Sequence, residues 1–591
     1  MLIMRLCYTL LLAGLLIGHP AYALLTEAPA PEAATGWQTQ REVVAKQAMA
    51  VTANPYASQA AQQILLKQGS AVDAMIAAQA VLTLVEPQSS GLGGGAFLVH
   101  WQQEGHRLTT LDGRETAPSG APSDLFLDKE GQPLPFFDAV IGGQSVATPG
   151  TVELLWQAHQ AHGKLNWQTL FEPAIQLASN GFIVSKRLAT LIQKDQENLA
   201  KDPSSAAYFF DSQGVPLTAG SRLTNPALAQ VLTELSQHGP KAFYQGKLAR
   251  AMVDKVTNAP TPGYLSMEDL AGYQTQARAP LCAPYRQNQI CGMGPPSSGT
   301  IALGQILGML SHFDLAKLGP THPQSWRLIA DASRLAFADR NHYVADSDFV
   351  AVPVSELLDA DYLKQRAELL RGQDRALPQV EPGVFLPLLA WRAPDQSPEF
   401  PSTTHLSIVD NEGNAVSMTS TIENGFGSRL MVEGFLLNNE LTDFSFSPER
   451  DGMLIANRLE PNKRPRSSMA PIMVLENNQP LLIIGSPGGS SIIGYVLQSI
   501  INILDWGMTP QQAIAQGHII HRGGDLEMEE RESNLALAPM MQALGFTTRF
   551  TELNSGLHAI MLQSEQLIGA ADPRREGLAL AADEPALSLV K

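Results

Sequence analysis

A chain of 591 residues is too long for one small core, and with 44% hydrophobic and 16% charged residues it has ordinary globular composition. Two folded parts or one large layered one are therefore expected. A net charge of -17 excludes binding that rests on neutralising phosphates or anionic lipid, so nucleic acid and membrane surfaces are not expected partners.

The opening MLIMRLCYTLLLAGLLIGHPAYA has an Arg at position 5, an apolar run through Ile17 and small residues at Ala21 and Ala23, the pattern of a cleavable secretory signal. The run is shorter than the ~20 residues a membrane span needs. Residues 1–23 are read as signal, with cleavage after Ala23, and the mature protein as soluble and periplasmic or secreted. A Pro/Ala-rich lead over 26–36 reads as a flexible tether.

From 44 to 85 the periodicity is helical, with ASQAAQQILLKQG and SAVDAMIAAQAVLTLV as two helices. They end at EPQSSGLGGGAFLVHW, a Gly-rich turn feeding a strand. Further helices are expected at VELLWQAHQAH, NWQTLFEPAIQLASNG, NPALAQVLTELSQHG and SWRLIADASRLAFADRNHY, so that 114–390 reads mainly as helices and polar connectors. Within it, Cys282 and Cys291 stand nine residues apart around a Pro-containing turn. Cys7 leaves with the signal, and an exported pair at hairpin spacing is expected to form a disulfide, two free thiols being the alternative. Two cysteines alone make no zinc site.

Residues 371–402 are Pro-rich and read as irregular and exposed. Strands follow at THLSIVD, NAVSMTSTI, MVEGFLLNN, MAPIMVLE and QPLLIIGS, then helices over 490–516. No cofactor or metal is expected. The Gly-rich turn lacks the Gly-Lys-Ser/Thr of a phosphate loop, and His518 and His521, near carboxylates but without a complete metal set, read as surface residues.

In TTHLSIVDNEGNAVSMTSTI the turn DNEGN suggests pairing symmetric about Glu412, which sets Thr403 opposite Thr421, since 403 + 421 is twice 412. Opposed Cβ atoms are roughly 5 Å apart, within reach of two hydroxyls. His405, Ser407, Ser417 and Thr419 share that face, while Leu406, Ile408, Val416 and Met418 take the other, the core face. A threonine becomes a competent nucleophile when its own α-amine, freed as a chain terminus with a pKa of roughly 7.7 to 8.0, accepts its proton. That requires a cut between Ser402 and Thr403. Threonine's preference for strands is the plainer reading of the hairpin taken alone.

Seven segments taken together, TTHLSIVDNEGNAVSMTSTI, LLNNELTDFS, KRPRSSMAP, GSPGGS, LDGRETAP, EPQSSGLGGGAF and PPSSG, closely resemble the γ-glutamyltranspeptidase or glutathione hydrolase family over nearly all of the mature chain. The resemblance implies an α/β (α+β) fold, a four-layer αββα sandwich of the N-terminal-nucleophile hydrolase type. A proenzyme would cut itself before Thr403 into a large subunit, 24–402, and a small subunit, 403–591, which remain together as a heterodimer. Thr403 is then the nucleophile and Thr421 its hydroxyl partner, with Gly488 and Gly489 as backbone donors to the oxyanion. Glu440 and Asp443 match the binders of the substrate α-amine. Arg114, with its two-pronged fork, and Ser467 and Ser468 match those of the α-carboxylate. Glu423 stands where several members have Asn. The segment between Asp443 and Ser467 is shorter than the lid of enteric relatives and has no tyrosine, which favours water over an acceptor unless Phe446 or Met453 closes the pocket.

The implied substrates are glutathione and other γ-glutamyl compounds, with water or an amino acid or dipeptide as acceptor. A cephalosporin (glutaryl) acylase of the same fold is the alternative, and a non-catalytic periplasmic binding protein is disfavoured by the complete Thr403, Thr421, Gly488 and Gly489 set.

Overall fold

The computed structural model describes residues 36–385, 392–397, 399–400 and 402–583. The expected signal, most of the 26–36 tether and part of the Pro-rich run lie outside the described residues.

Among the described residues two seven-stranded sheets form, each antiparallel at every pairing. One runs Leu578–Ala581, Met49–Thr52, Thr404–Val409, Ala415–Thr421, Gly95–Gln102, Arg107–Gly113, Gln276–Arg278. The other runs Val43–Ala45, Gln566–Ala571, His558–Gln563, Gln479–Gly485, Ile472–Glu476, Asn288–Gly292, Leu281–Tyr285.

Side-chain alternation decides how the layers stack. On the outer face of the first sheet, Leu406, Ile408, Val416 and Met418 pack with Ala57, Met75 and Val81 of helices Pro55–Leu66 and Ala71–Val85. The second of these helices opens with a capping box between Ser70 and Asp73, which satisfies two otherwise orphaned N–H groups. On the outer face of the second sheet, Ile472, Val474, Leu482 and Ile484 meet helices Gly299–Leu310 and Ser491–Leu504. Between the sheets Met49, Val51, Val99, Trp101, Met473, Ile483 and Ile560 interdigitate. Helix, sheet, sheet and helix thus stack in four layers, as the resemblance implies. Each sheet takes strands from both sides of position 403, so a break there leaves both pieces woven together.

The expected helices appear at Thr151–His162, Trp167–Asn180, Pro226–His238 and Pro323–Tyr343. Other expectations need correction. The 44–85 stretch begins with strands Val43–Ala45 and Met49–Thr52, because a short apolar run carries no period of its own and sheet neighbours decide its state. The 114–390 region is not only helix and connector: it supplies Gln276–Arg278 to the first sheet and the hairpin Leu281–Tyr285/Asn288–Gly292 to the second. That hairpin turns at Arg286 and Gln287 rather than at a proline. Pro284 lies in the edge strand, where a missing N–H is tolerated. Cys282 and Cys291 are direct cross-strand partners joined as a disulfide. MVEGFLLNN folds back on itself, Met431–Val432 against Phe435–Leu436, around Glu433 and Gly434, both at positive φ.

Among the described residues the Pro-rich run is irregular apart from the two-residue strand Arg392–Ala393, but it is not exposed throughout. Its last described residues sink inward: Phe400 and Ser402 are buried, and the Phe400 ring packs 3.9 Å, centroid to centroid, from that of Phe136.

Candidate active site

The hairpin Thr404–Val409/Ala415–Thr421 pairs in the register expected from its turn, Thr404 with Ser420 through Val409 with Ala415. This brings Thr403, just before the first strand, to the end of the second. Its hydroxyl lies against the Ser402 carbonyl oxygen and 3.4 Å from the Thr421 hydroxyl. The Thr421 hydroxyl donates to the Ser402 carbonyl at 3.0 Å and accepts from the Glu423 N–H at 2.9 Å. The peptide bond between Ser402 and Thr403 is therefore buried beside two hydroxyls, not displayed on a surface loop.

The polar face of this hairpin is buried between the sheets. His405 bonds through Nδ1 to Thr419 Oγ1 at 2.9 Å and through Nε2 to Ser407 Oγ at 3.1 Å. Burial, then neighbouring His558, pushes the His405 pKa well below its ordinary value. A neutral imidazole thus fixes the strand ends without placing charge behind the nucleophile.

The Gly-rich motif works by close approach. A Cβ on Gly94 would stand 1.9 Å from the Thr421 carbonyl oxygen, and one on Gly93 2.1 Å from that of Leu436. Only glycine lets this turn press against the strand end that carries Thr421.

One pocket is lined by Thr403, Thr421, Glu423, Glu440, Asp443, Arg114, Ser467, Ser468 and Gly489. Gly488 is beside it at the start of helix Ser491–Leu504, and Gly488 and Gly489 both have positive φ. Neither donates its N–H to a described residue.

Glu440 and Asp443 come together because Glu440–Asp443 is a 3-10 helix, in which positions three apart eclipse. Arg114 bonds to both carboxylates, stands 3.7 Å from Glu115, and donates to the carbonyls of Pro465 at 3.2 Å and Arg466 at 3.1 Å. Burial works against the guanidinium, but Glu440 and Asp443 outweigh it and raise its pKa. The acids outnumber it. Burial lifts Asp443 to about 8 and Glu115 to about 7, and lifts Glu440 and Glu423 well above their ordinary range. Asn439 donates to Glu423. Three buried carboxyls and the part-buried Asp443 thus gather near one guanidinium, and protonation offsets part of the surplus.

Ser467 is held by the Pro-Pro-Ser-Ser segment over 295–298. Ser298 donates its N–H and Oγ to the Ser467 carbonyl at 2.8 and 2.9 Å. Ser468 Oγ donates to Glu399 at 2.7 Å and accepts from Arg340 at 2.6 Å.

Sequence reasoning missed Glu115, Glu399, Arg340 and Arg466. Glu115 and Arg466 lie inside motifs already singled out, LDGRETAP and KRPRSSMAP. Arg340 sits unmarked on a long helix and Glu399 in the Pro-rich run.

His518 and His521 are not surface residues. They flank the short strand Ile519–Ile520, which packs on helix Ser491–Leu504, and burial brings both to about 3. His518 Nε2 is 2.7 Å from Ser555 Oγ, which in turn bonds to Asp572. In the 444–466 segment Phe446 packs on Phe126 and Phe136, whereas Met453 is about 36% exposed. Neither is among the residues lining the pocket.

A family model described as gamma-glutamyltranspeptidase matches residues 57–582. The chain is 36% identical over 522 residues to the glutathione hydrolase proenzyme of Bacillus subtilis (strain 168), covering 87% of each. It is 34% identical over 562 residues to the acylase ACY 1 proenzyme of Pseudomonas sp. (strain SE83), covering 94% of this chain and 97% of that one. Its fold superposes on the crystal structure of cephalosporin acylase from Bacillus halodurans with a TM-score of 0.82 and 25% identity, over 94% of this chain and 99% of that one.

Proposed function

The chain belongs to the γ-glutamyltranspeptidase family, enzymes that transfer or hydrolyse γ-glutamyl groups, and from that premise we propose an exported, self-processing enzyme acting through a Thr403 acyl-enzyme. In the first step the Thr403 Oγ attacks the Ser402 carbonyl carbon, and the acyl group passes from nitrogen to oxygen. Water then hydrolyses the ester, leaving a carboxylate on Ser402 and a free amine on Thr403. The large subunit, 24–402, and the small subunit, 403–591, remain paired through the two shared sheets.

In each turnover the Thr403 amine accepts the Oγ proton as Oγ attacks the γ-carbonyl of the donor. The N–H groups of Gly488 and Gly489 receive the tetrahedral oxyanion. The C–N bond breaks, and the leaving amine takes the proton. Water or an acceptor amine then attacks the ester carbon, releasing glutamate or a new γ-glutamyl amide and restoring Thr403.

The surplus of buried carboxyls carries the choice of substrate. Glu440, Asp443, Glu423 and Glu115 outnumber Arg114, so the pocket calls for a cation beside the scissile carbonyl. A γ-glutamyl group brings an α-ammonium, while Arg114 and the hydroxyls of Ser467 and Ser468 face its α-carboxylate. Glutathione and related γ-glutamyl compounds fit, with amino acids or dipeptides as acceptors. The likeness to two acylases favours a second reading, hydrolysis of glutaryl amides. A glutaryl group has the carboxylate without the ammonium, and would leave the acids uncompensated. Turnover of γ-glutamyl-p-nitroanilide against glutaryl-p-nitroanilide separates them. Preference for the first supports this reading, and preference for the second replaces it.

A further inference from the structure

Phe400 stands two residues before Ser402, and only 5% of it is exposed. Its ring packs 3.9 Å, centroid to centroid, from Phe136 and 6.4 Å from Phe137, both at the start of the short helix Phe136–Val140. Phe136 stacks in turn on Phe446 at 6.3 Å, and Phe446 on Phe126 at 4.8 Å. The aromatic slot that takes Phe400 is thus walled by residues from both sides of position 403, and its walls stack on one another without Phe400.

A second hold acts on Ser402 itself. This residue is buried, and its Oγ donates to the Gln88 carbonyl at 2.9 Å. Gln88 belongs to the EPQSSGLGGGAF segment, whose glycine at 94 presses on the Thr421 carbonyl. The Ser402 side chain is therefore tied to the turn that packs on Thr421, while the Ser402 carbonyl accepts the Thr421 hydroxyl at 3.0 Å. Phe400 and Ser402 both line the pocket that contains Thr403. Two residues of chain span at most about 7 Å, and Phe400, preceding Pro401, is biased to extended backbone. Seating the ring limits how far the Ser402 carbonyl carbon can drift from Thr403 Oγ.

We propose that Phe400 and Ser402 are positioning residues for self-cleavage: the ring in its slot and the hydroxyl on Gln88 hold the scissile carbonyl against Thr403, and this hold has no part in turnover. In that step a bond forms between Thr403 Oγ and the Ser402 carbonyl carbon, the C–N bond breaks, and the Oγ proton ends on the Thr403 nitrogen. Water then adds to the ester carbon, leaving Ser402 as a carboxylate and restoring the Thr403 hydroxyl. Misplacement of reacting groups by about 1 Å costs about 100-fold in rate, so two modest holds decide how fast the bond is cut. After the cut both residues lie on the free end of the large subunit, and their work is done. The inference rests on the self-processing reading above.

The test follows uncut full-length chain, purified in the cold and then warmed, by the appearance of two bands on a denaturing gel. Phe400→Ala empties the slot and slows the cut about tenfold or more. Phe400→Leu refills it and recovers most of the rate. Ser402→Ala slows the cut about three- to tenfold, the usual worth of one hydrogen bond. Once cut, Phe400→Ala hydrolyses γ-glutamyl-p-nitroanilide with the wild-type kcat/KM per cut chain, which damage to the fold would lower. A wild-type cutting rate in Phe400→Ala overturns the role of the ring, and one in Ser402→Ala that of the hydroxyl. An altered kcat/KM in cut Phe400→Ala also overturns the proposal, since it places the ring in substrate binding. The two variants are independent, so if Phe400→Ala fails to fold, Ser402→Ala decides the hold. Wild-type chain that stays whole refutes the self-processing reading instead.

Discussion

Thr421 donates its hydroxyl to the carbonyl oxygen of Ser402 at 3.0 Å, beside the hydroxyl that would attack that carbonyl. The donor is placed to stabilise charge on the oxygen during cleavage. Thr421→Val keeps the shape and deletes the donor, so processing slows by about 10²- to 10³-fold, the usual cost of losing one such donor. Thr421→Ser processes near the normal rate. The fraction of uncut chain, followed over time on a denaturing gel, checks both.

The acid surplus predicts a pH signature. Asp443 is raised from its ordinary 3.8 to about 8 and Glu115 from 4.5 to about 7. Their folded values exceed the unfolded ones, so the folded state binds more protons between them. This contribution to stability is full below about pH 4 and is lost as pH rises through 7 to 8. An ammonium entering the site favours the ionised acids, so binding L-glutamate releases protons and tightens from pH 6 to pH 8. Calorimetry in buffers of different ionisation enthalpy measures the release. Proton uptake on binding would contradict this electrostatic account.

Arg114→Lys retains one charge but cannot bridge Glu440 and Asp443 while also reaching the carbonyls of Pro465 and Arg466. KM for γ-glutamyl-p-nitroanilide rises about tenfold or more, with processing into two chains preserved. Unchanged steady-state kinetics would remove Arg114 from substrate recognition.

Water is expected to outcompete acceptor amines. Phe446 is held in an aromatic cluster with Phe126 and Phe136, Met453 points outward, and neither lines the pocket. No residue of 444–466 lines the pocket, so that segment supplies no latch to exclude water from an acyl-enzyme on Thr403. With rising glycylglycine, glutamate stays the main product by chromatography. Predominant γ-glutamyl-glycylglycine would mean that the short segment still shields the intermediate.

The parts of the site legible in the sequence were those set by local rules. The turn at 410–414 fixed the hairpin register, and the register brings Thr403 to Thr421. The αββα layering and the gathering of Arg114, Glu440 and Gly489 at one pocket are legible only through resemblance, since no spacing in the chain brings Arg114 within reach of Glu440. What stayed hidden depends on long-range packing. Val43–Ala45 and Met49–Thr52 are strands because sheet partners from the C-terminal half pair with them. His518 and His521 read as polar but are covered by residues distant in sequence. Prolines hide Glu399: a run that cannot form helix or strand reads as exposed, whereas two buried arginines draw its end inward.

If Thr403 becomes a chain terminus, N-terminal sequencing of the small chain from purified wild-type protein reads it out. Two chains are expected, the smaller beginning Thr-Thr-His-Leu, and one uncut chain for Thr403→Ala. A wild-type protein that stays in one piece while hydrolysing γ-glutamyl-p-nitroanilide, or a small chain that begins at any other residue, would contradict it.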